Sequence, residues 1–259
     1  MKQTALVTGA SGGIGFELAG ILAAKNFDLV LVARSLQKLE EIKENLEKKY
    51  KISCLVIEAD LSNLEEAMMV VKTNREMNID IDILINNAGF GDFGVFTQTD
   101  WEKELQMINL NMTSLTYLTK EFAKSMSARK SGRIMNVAST AAFFPGPLMA
   151  VYYATKAYVL SFSEALSNEL KGSGITVTAL CPGPTASGFQ ATADITESKL
   201  VKGKKLPTSK EVAAYGYEAM MKGKTVAIHG WINRVQVFSN RLMPRSIVPA
   251  MVRWASEKA

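Results

Sequence analysis

The chain predicts an α/β fold: three layers, doubly wound, around a mostly parallel sheet of about seven strands. Three observations carry this. Short β-branched runs alternate with helical stretches along the chain, the pattern of βαβ crossovers. The strand runs, such as "DLVLVA" and "IDILI", are almost continuously apolar, as a sheet covered on both faces requires. A glycine-rich turn joins the first run to the first helix.

In order, "TALVT" leads into a helix from Gly13 to Lys25, "DLVLVA" into Leu36 to Lys49, "SCLVIEA" into Leu64 to Glu76, and "IDILIN" into a long helix from about Asp100. The second half continues with "GRIMNVAS", a helix from about Tyr152 to Leu170, "ITVTALC", a helix from about Lys210 to Lys222, and "TVAIHG". Ser62 with Glu65, Thr99 with Glu102 and Thr208 with Glu211 have capping-box spacing, in which hydroxyl and carboxylate each satisfy a free amide of the first turn. Two segments break the pattern. Residues 184–208 follow a strand without firm periodicity and read as a mobile loop or short helices over a ligand. Residues 231–259 mix Pro, Met, Trp and Arg and could cover a sheet edge, form an oligomer contact or touch a membrane surface. Residues 1–259 therefore read as one domain with a substrate loop and a C-terminal extension.

Composition narrows the function. A chain of 259 residues that is 47% hydrophobic can bury a sizeable core. Its apolar runs fall far short of the roughly 18 residues of a membrane span. No signal-peptide pattern opens the sequence, so a soluble, cytoplasmic protein is expected. Cys54 and Cys181 make neither a CxxC pair nor a disulfide framework, which suits a reducing compartment. The single histidine, His229, rules out a multi-histidine metal site and leaves a Ser/His/Asp triad only one possible base; no metal is predicted. The net charge of +5 is spread among glutamates on helix faces, with no basic, aromatic-interleaved block for nucleic acid.

"TALVTGASGGIGFELA" is strand, turn and helix start in sequence. Gly9, Gly13 and Gly15 permit a tight turn and close approach of a pyrophosphate, whose charge is stabilised by free amides at the helix N-terminus. With Ser11 and Ile14 they form the candidate phosphate loop of a Rossmann nucleotide site. At this point the chain resembles the short-chain dehydrogenase/reductase family, from Thr4 to about His229. The resemblance is carried by "TGASGGIG", "DLS" at Asp60, "NNAG" at Asn86 to Gly89, Asn111, Ser139, "YxxxK" at Tyr152 and Lys156, and "PG" at Pro182 and Gly183.

The second strand ends "DLVLVARS". Ala33 stands where an NAD site places a ribose-binding carboxylate, and Arg34 follows, a planar guanidinium suited to the 2'-phosphate of NADP. NADP is the expected cofactor, with NAD the alternative; Ser35 would help complete the pocket. The resemblance further implies that Asp60 binds the adenine amino group, that Leu61 flanks the adenine, and that Asn87, Ala88 and Gly89 pass under the ribose. Pro182, Gly183 and either Thr185 or Ser187 would meet the nicotinamide.

On a helix, residues four apart share a face, so Tyr152 lies over Lys156 while Tyr153 points about 100° away. The ammonium is expected to lower the phenol's pKa and fit Tyr152 for proton transfer. By resemblance, Ser139 orients the substrate oxygen, Lys156 also holds the nicotinamide ribose, and Asn111 supports a proton relay, with Asn109 the alternative. The implied reaction is hydride transfer between NADP and a carbonyl or alcohol. The apolar stretches "FGDFGVF" and "AAFFPGPLM", with Phe189, imply a substrate with a hydrophobic body. A homodimer or homotetramer through the two long helices is implied as well. A non-catalytic NADP-binding regulator is the alternative reading, distinguished by activity that survives Tyr152→Phe.

Overall fold

The computed structural model describes residues 2–199 and 201–257. Met1 at the start of the predicted domain, Leu200 within the predicted loop, and Lys258 and Ala259 at the end of the predicted extension lie outside the described residues. The chain runs β1 (Thr4–Thr8), α1 (Gly13–Ala24), β2 (Asp28–Ala33), α2 (Leu36–Tyr50), β3 (Cys54–Glu58), α3 (Leu64–Glu76) and β4 (Ile83–Asn86). It continues with α4 (Trp101–Ile108), a π-helical turn (Asn109–Ser114), α5 (Leu115–Arg129), β5 (Gly132–Val137), a 3₁₀ turn (Thr140–Phe143), α6 (Ala150–Glu169) and β6 (Ile175–Cys181). The last elements are α7 (Phe189–Thr192), α8 (Ser209–Met221), β7 (Val226–Ile228), α9 (Trp231–Asn240) and α10 (Val248–Ser256).

The seven strands form one sheet in the order β3-β2-β1-β4-β5-β6-β7, all neighbours parallel. Parallel strands need crossovers, and the helices that supply them cover both faces, so the strands are apolar on both sides. Ala5, Val7, Leu29 and Leu31 pack under α1, α2 and α8. Leu6, Val30, Leu84 and Ile134 pack on the opposite face, under α3 and α5. Full burial of each such leucine or isoleucine stabilises by roughly 1.5–3 kcal/mol. Strand order reverses between β1 and β4, and a crevice opens outside the carboxyl ends of the strands at such a switch point.

Two of the three helix starts differ from the spacing-based expectation. Asn63, not Ser62, caps α3, its side chain accepting from the Glu65 amide; the Ser62 hydroxyl is held by Asp60 at 2.8 Å. Asp100 caps α4, accepting from the amides of Glu102 and Lys103, while Thr99 donates to Glu104. Each shift puts the residue able to reach two amides ahead at the cap. The Thr208–Glu211 capping box forms as predicted.

The long helix expected from Asp100 is interrupted by its π-helical turn, with Asn111 buried at the centre. Among its described residues the segment 184–208 holds the single-turn α7 and isolated bridge positions, one of them pairing Ala186 with Thr208. It is tied to the end of α10: the Ser198 hydroxyl donates to the Ser256 carbonyl at 2.9 Å, and the Lys199 amide to the Glu257 carbonyl at 2.9 Å.

Candidate active site

A cavity of about 830 Å³ lies at the carboxyl ends of the strands. At one end α1 begins, and the reason the chain needs glycines there is steric. A Cβ on Gly9, whose φ is +65°, would lie 2.7 Å from Asn87 Nδ2, and one on Gly15 would lie 2.4 Å from the Gly9 carbonyl oxygen. Asn87 closes this turn by donating to the Thr8 and Gly9 carbonyls at 3.0 and 3.3 Å, so it ties β4 to the loop after β1. Gly12 at the N-cap brings no side chain and the first turn of α1 has no acid, which leaves the helix's free amides available to an anion.

Arg34, Ser35 and Lys38 line the cavity beyond β2. Asp60 is the only carboxylate among its described lining residues, and its Oδ1 already accepts from the Ser62 amide and hydroxyl. This end therefore favours a polyanion, and the donor set fits a dinucleotide carrying an extra phosphate. Lys38 escaped the sequence reading; its place in the first turn of α2, four residues after Arg34, was the available signal.

At the other end Ser139, Tyr152 and Lys156 share the cavity wall. Ser139 follows β5 and its Oγ accepts from the Ala141 amide at 3.1 Å. Lys156 is buried and donates to the Val137 carbonyl at 2.9 Å, with its Nζ 5.9 Å from the centroid of the Tyr152 ring. The electrostatics correct the expectation that the lysine lowers the phenol's pKa. Burial pushes Tyr152 up from its ordinary value, and hydrogen bonding to Ser139 opposes this. Burial brings Lys156 down to about 8, with Cys181 pulling the other way. Desolvation disfavours both charged forms and outweighs a pairing that the Val137 carbonyl draws away from the ring.

Asn111 stands behind this wall. Its Nδ2 donates to the Phe90 carbonyl and to Thr155 Oγ1, both at 3.0 Å, and its Oδ1 accepts from the Phe90 amide at 3.3 Å. A Cβ on Gly89 would lie 2.8 Å from Asn111 Oδ1 and 3.3 Å from Lys156 Nζ, so these two groups converge on one point. Asn109 is only half-buried.

All the other predicted site residues line the cavity: Ser11, Gly13, Ile14, Leu61, Ala88, Gly89, Pro182, Gly183, Thr185 and Ser187. Gly15 and Asn111 alone sit behind it. Thr185 is buried and donates to the Gly183 carbonyl at 2.9 Å, whereas Ser187 lies across from Gly13, 3.7 Å from where its Cβ would be. His229 is not in the lining and packs against Tyr215, so no Ser/His/Asp triad forms.

Both tyrosines reach the cavity. Tyr153 lies over Gly146, where a Cβ would come within 2.1 Å of the ring, and Tyr152 meets Phe189 at 5.4 Å between centroids. A Cβ on Gly91 would touch Phe189, Tyr152 and Met149 at 3.0–3.2 Å. Of the apolar stretches expected around the substrate, Phe90, Ala141, Phe144, Met149 and Phe189 contribute, while Phe143 packs elsewhere and Phe96 is exposed. The C-terminal extension supplies the remainder of the wall, including Gln236, Val237, Met251 and Val252. Asn233 of α9 packs on Gly183 so closely that a Cβ there would lie 2.6 Å from Nδ2. Only the tertiary fold brings these residues to the site; no local signal in the sequence could have found them.

Residues 3–198 match the model of the short chain dehydrogenase family. The chain belongs to that family. It is 34% identical over 186 residues to very-long-chain 3-oxoacyl-CoA reductase-A of Danio rerio, covering 70% of this chain and 58% of the relative. It is 36% identical over 185 residues to 17-beta-hydroxysteroid dehydrogenase type 3 of Mus musculus, covering 70% and 60%. The chain thus spans about three-fifths of these relatives' length. A solved short-chain dehydrogenase from Sphingobium yanoikuyae in complex with NADPH is 32% identical, with a TM-score of 0.83 over 93% of this chain and 94% of that one. The parallel sheet and glycine turn of this family member accord with that likeness.

Proposed function

We propose that this protein is an NADP-dependent oxidoreductase that transfers a hydride between the nicotinamide and a carbonyl or alcohol on a molecule with an apolar body. One observation carries the reading: a single cavity joins an uncapped glycine-turn helix and two exposed cations at one end to Tyr152, Ser139 and Lys156 at the other. The NADPH complex of the related dehydrogenase supports the cofactor, and the acyl-CoA and steroid enzymes among its relatives support a bulky apolar substrate.

When bound, the nicotinamide supplies or accepts the hydride. Ser139 orients the substrate oxygen, and Tyr152 gives it a proton in reduction; burial, which keeps the phenol protonated near neutrality, suits that role. Lys156, with a pKa of about 8, is mostly cationic at pH 7 and stabilises the phenolate left behind. Asn111 holds the Phe90 backbone beside Lys156 and positions the proton path. Thr185 would hold the carboxamide of the bound nicotinamide, and Ser187, across from Gly13, would hold the pyrophosphate.

Residues 1–259 act as one domain in which 184–208 and 231–259 close over the substrate. The buried, unpaired thiols Cys54 and Cys181 support a reducing, cytoplasmic setting. Ala154, Ser161 and Ala165 form an exposed small-residue stripe on α6 that would admit a second copy closely. The test is spectrophotometric: NADPH consumption with a panel of apolar ketones, repeated with NADH. Absence of turnover with every ketone and alcohol, alongside tight NADPH binding, would favour a regulator instead.

A further inference from the structure

Helices α9 and α10 invert the usual pattern of a surface helix, which turns its apolar stripe to the core. On α9, Trp231, Val235 and Phe238, with Leu242 just beyond, recur at helical spacing and face solvent, with 73% of Trp231, 64% of Phe238 and 75% of Leu242 exposed. The opposite face is the packed one: Val237 is buried, Asn233 lines the cavity and Asn240 donates to the Phe143 carbonyl at 2.6 Å. In α10 the same holds. Ile247 at its N-cap, Met251 and Trp254 face outward, the last 68% exposed, while Val248 and Ser256 are buried. Both helices are thus held in place by one face and present a second apolar face that is largely open, the Lys199 ammonium lying 5.3 Å from the centroid of the Trp254 ring at its edge.

The charges around this face have one sign. From Trp231 to Ser256 the sequence holds four arginines and no aspartate or glutamate. Arg234 is spent on the Ile228 carbonyl and the Tyr215 hydroxyl. Arg241, Arg245 and Arg253 are exposed and form no ion pair among the described residues. The adjoining carboxylate, Glu257, is paired with Lys199 at 3.5 Å.

We propose that α9 and α10 dock the protein on the surface of an anionic lipid bilayer. Outward Trp, Phe, Leu and Ile rimmed by arginine is the composition that seats a helix at the boundary between headgroups and acyl chains. The arginines complement anionic headgroups, and their long stems let the apolar groups sink between them. A second copy on the same patch fits poorly, since a two-fold contact would set arginines against arginines. Met251 belongs both to this face and to the cavity wall, so docking would bring the bilayer against that wall. On the proposed function, an apolar substrate would then pass between lipid and active site without crossing water.

The test is co-sedimentation of the full chain with phosphatidylcholine vesicles with and without phosphatidylglycerol, read together with the emission of Trp231 and Trp254. Binding to the anionic vesicles, a blue shift and weakening by salt are expected. R241E/R245E/R253E should bind on the order of a hundredfold more weakly. F238S/L242S should lose the blue shift; far-ultraviolet circular dichroism and thermal midpoint verify that both variants fold. The proposal is overturned if the protein ignores anionic vesicles, if the charge-reversed variant binds as well as the parent, or if the face proves to hold a dimer that F238S/L242S dissociates while vesicles are not bound. None of these readouts uses turnover, so docking and the proposed reaction stand or fall separately.

Discussion

Lys156 Nζ donates to the Val137 carbonyl at 2.9 Å, nineteen residues away in the chain, rather than to the phenol one helical turn before it. A buried ammonium held by one carbonyl is an uneasy cation, and its pKa of about 8 is well below that of an exposed lysine. The sign of the pH effect follows. Between about pH 8 and the unfolded lysine's value of about 10.4, the unfolded chain holds a proton that the folded one has released, so stability rises with pH across that window. Below about 8 both states are protonated and the full cost of the buried charge is present. We expect the unfolding free energy of the parent, relative to Lys156→Met, to climb between pH 8 and 10 by about 3 kcal/mol at most, read from chemical denaturation. Parallel profiles for the two proteins would refute the burial argument.

Tyr152 and Tyr153 share a helix and a cavity but differ in what they touch. Tyr152→Phe removes the proton donor and should lower kcat roughly 10²–10⁴-fold while NADPH binding persists. Tyr153→Phe keeps the ring over Gly146 and should stay within a few-fold of the parent. Single-turnover rates with cofactor titrations on both variants decide this; the reverse ranking would sink the assignment of the acid.

Asn111 and Asn109 differ by two residues and by burial. Asn111→Ala leaves the Phe90 carbonyl and amide without their partner, which should cost about 1–3 kcal/mol and disturb the wall behind Lys156. Asn111→Asp can still accept from the Phe90 amide but cannot donate, so it should be intermediate. Asn109→Ala should be nearly silent. Chemical denaturation and kcat measured on all three variants test the ranking.

Arg34 follows Ala33 at the end of β2, is exposed, and forms no ion pair among the described residues. Arg34→Asp should weaken NADPH binding by roughly 10–100-fold, the worth of a charge-assisted pair, and affect NADH far less. Fluorescence titration with both dinucleotides reads this. Equal losses for the two would mean that Arg34 does not meet the 2'-phosphate.

Local chemistry is legible in the chain alone. Apolar strand runs, the glycine turn at Gly9, the Ala33–Arg34 ending and the helical spacing of Tyr152 and Lys156 all act between near neighbours, so a linear reading reaches them. What lay beyond it needed distance in the chain. The buried link from Asn86 to Asn136 and on to Ser163, which joins β4, β5 and α6, has no local signature. The caps at Asn63 and Asp100 moved because which side chain reaches a free amide depends on the turn's path. Desolvation decided the pKa values of Tyr152 and Lys156, and it is a property of everything packed around them, including segments far along the chain. The closing of the cavity by α9 and α10, and the outward turn of their apolar faces, were likewise decided by the tertiary structure, because a helix's composition states that it is amphipathic but not which of its faces finds a partner.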